Sequence, residues 1–495
     1  MHVSLGLDPV TPEDIVAVAD GALVSLSLEV VELLARSRSV VEAAIARGDA
    51  VYGLSRRLGA ARDEPIEPSD QAAFQRRVLA NHLGGIGEPL SERQARATIF
   101  ARLVGFARGG SGVRPELAQA YAALLNDGVY PVVPTRGSVG AADLTHLAAI
   151  ADVVTGQGRV FVDGAIVSGS RTPIELAPHE GLAVLSANSY SIGVAALLLD
   201  AMERTADAAD RSVALSIEAA GLHSPSGALS PFDPAVQAAH PLAGQARSAA
   251  AIRALLEGGF LAEPGRTTSV QDRLSVRTAP QLNGALHDAA AALRTSLDAE
   301  LASRSDNPLV DVDSGRMISG GNFQAVTLAL ALETARIALA HVASASERRI
   351  ALLSSLLSPF RATGAARLPG LSWYSASAAA AELRHLANPV TLASTSLSGD
   401  VEDHASLAPL ALQLAERSVR LTQEVLAIEA LHAADLVGLG PAAVLGTRGL
   451  VDGLLGDVPD TDAAVRSAIA RLIDSTGAPD AGRGQPSPGT TSPLS

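Results

Sequence analysis

The 495-residue sequence contains no cysteine. Disulfides, thiolate nucleophiles and cysteine-held metals are therefore excluded. It contains no lysine either, so all 38 basic residues are arginine. Without a lysine Schiff base, pyridoxal phosphate held in the usual way is excluded too. There is no excess of positive charge: the formal net charge is −14 and no basic stripe runs along the chain. Nucleic acid is not an expected partner. The start, "MHVSLGLDPVTPEDIVAVAD", lacks a basic stretch followed by an apolar run, so it does not read as a signal peptide. Glu333 and Arg336 interrupt the long apolar run at 323–345. That run reads as a buried helix, with no membrane partner. A soluble, cytoplasmic protein is expected.

What is present is small and apolar. The chain is 47% hydrophobic but only 3% aromatic, and it is rich in alanine. Such a composition suits long helices packed closely over small side chains. Thr11-Pro12-Glu13-Asp14 reads as a helix start, with a capping Thr, an early Pro and an acid at the third position. Residues 28–47 carry Val30, Leu33, Leu34, Val41 and Ile45 at helical spacing, and Gly48 reads as the stop. Residues 49–69 read as loop. Helical patterns return at 70–83, 91–107 and 115–127. "RVFVDGAIVSG" reads as a hairpin turning at Asp163-Gly164. Long Ala/Leu-rich segments at 190–220, 281–304, 323–354 and 404–437 predict a bundle of long helices. The expected organisation is an N-terminal helical domain (1–190), a central bundle (191–440), a helical segment (441–474) and a disordered tail (475–495).

Several short stretches occur in a telling order. They are "SGVRPE" (111–116), "PVVPTRGSVGA" (131–141), "PFDP" (231–234), "VQDRLSVRTAPQLNG" (270–284), "SDNPLV" (305–310), "SGGNF" (319–323), "SERRIALL" (346–353) and "EDH" (402–404). Together they resemble the histidine and aromatic amino acid ammonia-lyase family, over roughly residues 8–440. The resemblance implies an all-α, aspartase/fumarase-like fold around a central bundle of long helices. It also implies a homotetramer with shared active sites and a small carboxylate, amino-acid-like substrate. Members of that family cyclise an inner Ala-Ser-Gly to a methylidene-imidazolone electrophile. Serine supplies the hydroxyl that is lost, and glycine supplies the unhindered attacking nitrogen.

Here the corresponding stretch is Gly137-Ser138-Val139-Gly140-Ala141-Ala142-Asp143-Leu144. One residue, Ala142, stands where Ser-Gly should be, and it has no hydroxyl to lose. Ser138 is the only hydroxyl nearby, and the β-branched Val139 after it is a poor nucleophile for ring closure. Ala141, Ala142 and Asp143 thus form a degenerate electrophile loop. No imidazolone, metal or separate cofactor is expected.

Position by position, the resemblance implies further roles. Tyr52 matches the catalytic loop tyrosine. Ser55-Arg56-Arg57-Leu58-Gly59 replaces that loop's usual Asn-Thr-Gly-Phe-Gly. Asn81-His82 falls on the specificity dyad. Gln271 and Arg277 match the glutamine and the carboxylate-binding arginine, whereas Leu274 stands in place of a second catalytic tyrosine. Phe323 matches, and Gln324 replaces the histidine after it. Glu382 matches a motif glutamate, Glu402 and His404 match a Gln-Glu-Asp-His motif, and Ser186 replaces a pocket asparagine. The residues retained would hold a carboxylate and move a proton; those lost serve the electrophile and the amine. In this scheme Tyr52, His82 and Glu382 are catalytic, and Arg277, Gln271, Phe323, Asn81 and Ser186 bind substrate. The helix start near Gly140–Asp143 would offer amides to an anionic leaving group or oxyanion.

Structural roles compete with these. Arg277 suits an acid in the bundle as well as a substrate carboxylate. Glu382, on an Ala-rich helix, suits solvent. His82 suits a helix cap, and His146 suits a cap or surface role more than catalysis. Arg56 and Arg57 suit a solvated loop. The sequence supports a lyase or proton-transfer enzyme that works without an imidazolone. It leaves open an inactive binding or assembly paralogue, and an ammonia-lyase with an unrecognised cyclisation.

Overall fold

The computed structural model describes residues 1–169, 173–455 and 460–474. The tail expected to be disordered lies outside the described residues. The described residues are mostly helical. The four longest helices among them are Ser189–His223, Ala279–Ala302, Val326–Ala362 and Ala408–Gly438. Among the described residues strands come in pairs: His2–Leu5 runs parallel to Leu23–Leu26, and three antiparallel pairs include the hairpin Arg159–Val162/Ala165–Ser168.

Local signals account for many boundaries. Thr11 caps the helix Pro12–Ala19 through a reciprocal capping box with Asp14. The helix Leu28–Arg47 stops at Gly48, which is left-handed. Val326–Ala362 is long and apolar enough to cross a membrane, but 61% of its most apolar stretch is buried within the protein. Glu333 and Arg336 form a buried ion pair on this helix. Glu333 also accepts from the Val390 and Thr391 amides, and Arg336 donates to the Leu386 and Asn388 carbonyls. Paired and hydrogen-bonded in this way, two charges are tolerable inside a core.

Residues cluster into two compact units, each assembled from three separated stretches. The first comprises Met1–Arg204, Asp288–Ala340 and Glu382–Leu421; the second comprises Thr205–His287, His341–Ala381 and the chain from Thr422 on. The unit boundaries fall within helices. In the first unit Val40, Val41, Ala44, Val51, Leu54 and Val310 form one apolar cluster. It anchors the end of the helix Leu28–Arg47 and the loop that carries Tyr52. In the second unit Arg349 and Glu429 pair in full burial, and Ser216 and Ser346 also donate to Glu429.

Candidate active site

The first unit holds an open cavity of ≈ 560 Å³. Its walls include Tyr52, Arg62, His82, Ala141, Ala142, Leu144, Leu182, Ser186, Phe323 and Glu402. The folding of four segments explains this convergence.

The first segment carries Tyr52. Gly59 turns back with φ +58°, and its amide donates to the Tyr52 hydroxyl at 3.0 Å. A side chain at Gly59 would run into Ser398 Oγ in a left-handed conformation, so glycine is favoured at this turn. Burial pushes the Tyr52 phenol above its usual range, opposed by the Gly59 N–H; Glu402 pushes it further up, and Arg62 pulls it down.

His82 ends the helix Gln71–Asn81. Its Nδ1 lies 2.6 Å from the Val78 carbonyl, which can only accept, so Nδ1 carries a proton and donates, leaving Nε2 free of that contact. His82 therefore serves as a cap and as a cavity residue together. Its dyad partner Asn81 is exposed and does not line the cavity.

The third segment is the Gly-rich loop. Gly140 has φ +89°, and Ala142, unusually for alanine, has φ +58°. The Ala142 amide donates to the Phe323 carbonyl at 3.3 Å, and the Asp143 amide donates to Ala187 at 2.8 Å. The Thr145 amide donates to Ser138 Oγ at 3.1 Å. These donors are spent inside the protein, so the anion-binding helix start expected near Gly140–Asp143 is not formed by them. What the loop presents to the cavity is the side of Ala141 and Ala142. Beneath it Asp143 is fully buried and accepts from the Ser191 amide and hydroxyl. Burial pushes its carboxyl up to about 7 against those hydrogen bonds.

Replacing Gly140 with Ala tests this loop. A Cβ there would strike Ser406 Oγ and crowd the Leu407 and Ala408 amides, in a left-handed conformation. We expect Gly140→Ala to lower the unfolding free energy by about 2 kcal/mol or more, read from urea denaturation.

A second layer holds the loop. His146, expected at a cap or on the surface, is fully buried and stacks on Tyr190 with centroids 4.0 Å apart and planes 6° apart. Burial lowers its pKa to about 4, so the ring is neutral. Its Nε2 lies 3.2 Å from the Thr135 carbonyl, which assigns the proton to Nε2; Nδ1 then accepts from the Ser138 hydroxyl at 3.0 Å. Ser138 in turn accepts from the Thr145 amide and hydroxyl. Gln413 donates to the Thr135 carbonyl at 2.6 Å and to the Tyr190 hydroxyl at 3.4 Å. Sequence patterning missed this network, because nothing local marks His146 as buried.

The fourth segment is Phe323 and its surroundings. Phe323 lines the cavity. Its carbonyl also takes a hydrogen bond from Asn188 Nδ2 at 2.6 Å. Gln324 bridges to Ala141 and donates to the His404 carbonyl. Ser186 lines the cavity, but the Asn307 backbone engages its hydroxyl: the Asn307 N–H donates to it at 2.9 Å, and it donates to the Asn307 carbonyl at 3.3 Å.

The remaining residues named from the sequence lie elsewhere. Glu382 is exposed and pairs with Arg417 at 2.9 Å, so its carboxyl is held below its usual range by that neighbour and not by a cavity. Gln271 and Arg277 belong to the second unit. Gln271 is exposed, whereas Arg277 is half-buried with its Nε enclosed and without a hydrogen-bond partner. The structure adds two charged residues to the cavity, Arg62 and Glu402. Glu402 had a motif signal, but Arg62 had none.

The comparisons agree with this architecture. The aromatic amino acid lyase family model matches residues 10–448. The histidine ammonia-lyase of Vibrio cholerae serotype O1 is 36% identical over 430 residues, covering 83% of each chain. Among solved structures, the ergothioneine-degrading enzyme ergothionase from Treponema denticola, in complex with desmethyl-ergothioneine sulfonic acid, superposes with a TM-score of 0.88 at 27% identity. That match covers 96% of this chain and 99% of the other. Histidine ammonia-lyase from Trypanosoma cruzi superposes with a TM-score of 0.83 at 26% identity, covering 96% and 93%. With its helical bundle, its ordered motifs and these matches across most of its length, the chain belongs to the aromatic amino acid lyase family.

Proposed function

We propose that this chain eliminates an amine from an amino-acid-like carboxylate without an imidazolone electrophile. One observation carries the proposal: the loop that would make the electrophile presents Ala141 and Ala142 to the cavity. No Ala-Ser-Gly tripeptide occurs anywhere in the sequence. The hydroxyl of Ser138 is committed to His146, which also argues against that residue as a substitute.

The missing electrophile sets a demand on the substrate. General acid–base groups supply about 10²–10⁴ in rate, while enzymes commonly achieve about 10⁶ or more. The leaving group must close the gap. A primary ammonium is a poor fit, because with an ordinary pKa of about 8 it sheds a proton to give a neutral amine, which does not leave without an electrophile. A quaternary ammonium has no N–H, suits the faces of Tyr52 and Phe323, and leaves as a neutral tertiary amine. Ergothioneine, on which the Treponema denticola neighbour acts, is such a trimethylammonium betaine.

In this mechanism Tyr52, as its phenolate, receives the β-proton, the C–H electron pair forms the double bond, and the C–N electron pair departs with the amine. Glu402 balances the substrate's positive charge. His82, through its Nε2, positions the far end of the substrate. Arg277 holds the α-carboxylate in the shared sites of a homotetramer, because a planar guanidinium fork suits a carboxylate. No step requires a metal or a separate cofactor.

The test pairs intact mass with turnover of histidine and its N-trimethyl betaine. The expected result is the unmodified mass and tertiary amine release from the betaine alone. A mass short by two waters, with ammonia from histidine, would mean an ordinary member of the family. The unmodified mass with turnover of neither would favour a binding or assembly paralogue.

A further inference from the structure

We infer that Arg62 is the positive partner of the Tyr52 phenolate, the positioning residue that makes this tyrosine usable as a base. The inference rests on the elimination proposed above and names what prepares its base.

The turn between the two residues supplies the geometry. The Gly59 amide donates to the Tyr52 hydroxyl at 3.0 Å, and the Arg62 amide donates to the Gly59 carbonyl at 3.1 Å. The short turn Gly59–Ala61 therefore ties Arg62 to the Tyr52 hydroxyl, and both side chains line the same cavity. The same loop carries two other guanidinium groups, and each is engaged elsewhere. Arg56 donates to the Asp63 carbonyl at 3.2 Å, and Arg57 pairs with Glu64 at 3.3 Å. Neither lines the cavity. Arg62 has a contact with Asp63 at 4.0 Å, in which the two side chains are 50% and 95% exposed. So open a pair holds the guanidinium weakly.

The neighbours of the Tyr52 hydroxyl favour its charged form. A phenol has a proton to give, whereas a phenolate only accepts. Among the described residues the hydroxyl receives the Gly59 N–H and gives its own proton to none. The turn offers it an N–H and a guanidinium, both of which are donors only. The other titratable residues lining the cavity are His82 and Glu402. His82 turns its Nδ1 to the Val78 carbonyl. Arg62 is the only Arg in the lining, and the chain has no lysine. Burial pushes the Tyr52 phenol up, the Gly59 N–H pulls it down, Glu402 pushes it up and Arg62 pulls it down. The phenolate is thus the minor form, and its share follows the charges that face it. Without Arg62 it would be a half-buried anion opposite the Glu402 carboxylate.

Alkaline titration of the full chain, followed by near-ultraviolet phenolate absorbance, tests this without turnover. Subtracting the curve of Tyr52→Phe isolates Tyr52 from the other tyrosines. Below its midpoint, Arg62→Gln should lower the Tyr52 phenolate fraction roughly tenfold, and Glu402→Gln should raise it by a similar factor, as expected for one nearby charge. The rise of kcat/KM with pH for the betaine should move to higher pH by the same amount in Arg62→Gln. Arg62→Lys should restore the wild-type profile wherever its ammonium is charged. A Tyr52 titration indifferent to Arg62→Gln would overturn the inference. Shifts of the same sign in Arg62→Gln and Glu402→Gln would also overturn it, since they would report a general disturbance of the wall. The expected shifts without any betaine turnover would refute the elimination and leave the pairing of Arg62 with Tyr52 in place.

Discussion

Tyr52→Phe is expected to lower turnover of the betaine by about 10²–10⁴-fold, the range for a positioned proton-transfer group. The ring stays, so its packing and its face toward an ammonium stay. What goes is the hydroxyl that accepts the Gly59 N–H at 3.0 Å. Losing one such bond costs about 1 kcal/mol, too little to unfold the site. The loss should therefore fall on kcat, with KM changed only severalfold, because an interaction made chiefly in the transition state has been removed. The Phe variant should melt within a few degrees of wild type. A fall of less than tenfold would show that Tyr52 does not move the proton and would leave Glu402 as the base.

Asp306→Ala is expected to produce the largest loss of stability, about 3–5 kcal/mol. Arg102 is fully buried, and it pairs with Asp306 at 2.6 Å while donating to the Ala183 carbonyl. Its guanidinium also lies over the Phe106 ring, 4.2 Å from the centroid. Removing Asp306 leaves a positive charge in a place where water cannot reach it. Removing both partners, as in Arg102→Met with Asp306→Leu, removes the stranded charge and should recover much of the loss. A shift in the denaturant midpoint, followed by circular dichroism, reads both effects. The site should suffer too: residue 306 precedes Asn307, whose backbone holds the Ser186 hydroxyl. Near-equal stability of the single and double variants would mean that the pair carries no stranded charge.

Much of the fold was legible because its signals are local. Thr11 and Asp14 cap a helix as their spacing predicts, and Gly48 ends the next one. Other features were not local. The parallel pair His2–Leu5/Leu23–Leu26 joins four-residue strands across a helix, where no alternating run is long enough to read. The expected helix 323–354 extends in fact to Ala362, through Pro359; Pro before a helix end reads as a stop, but here the chain continues helically past it. In the site, motif order located Tyr52, His82, Ser186 and Phe323. It did not separate Glu382, paired on the surface, from Glu402 in the cavity, because both sit in matching motifs and only packing distinguishes them. Arg62 has no motif. Its position depends on a turn closed between Tyr52 and Gly59.

The Thr135 carbonyl accepts from both His146 and Gln413, residues 11 and 278 positions away in the chain. That shared oxygen limits how the protein can be recombined. A Gly-rich segment transplanted alone from a relative would arrive beside a Gln413 selected for different company. If the incoming segment has proline at the place of His146, Tyr190 loses its stacking partner and Ser138 loses its acceptor. The unit of exchange is therefore not a stretch of sequence but a set: 135–146, Tyr190 and Gln413 together. Chimeras that respect this set should stay soluble and folded where those cut only at the loop ends do not, and natural variation at 146 should be accompanied by change at 413.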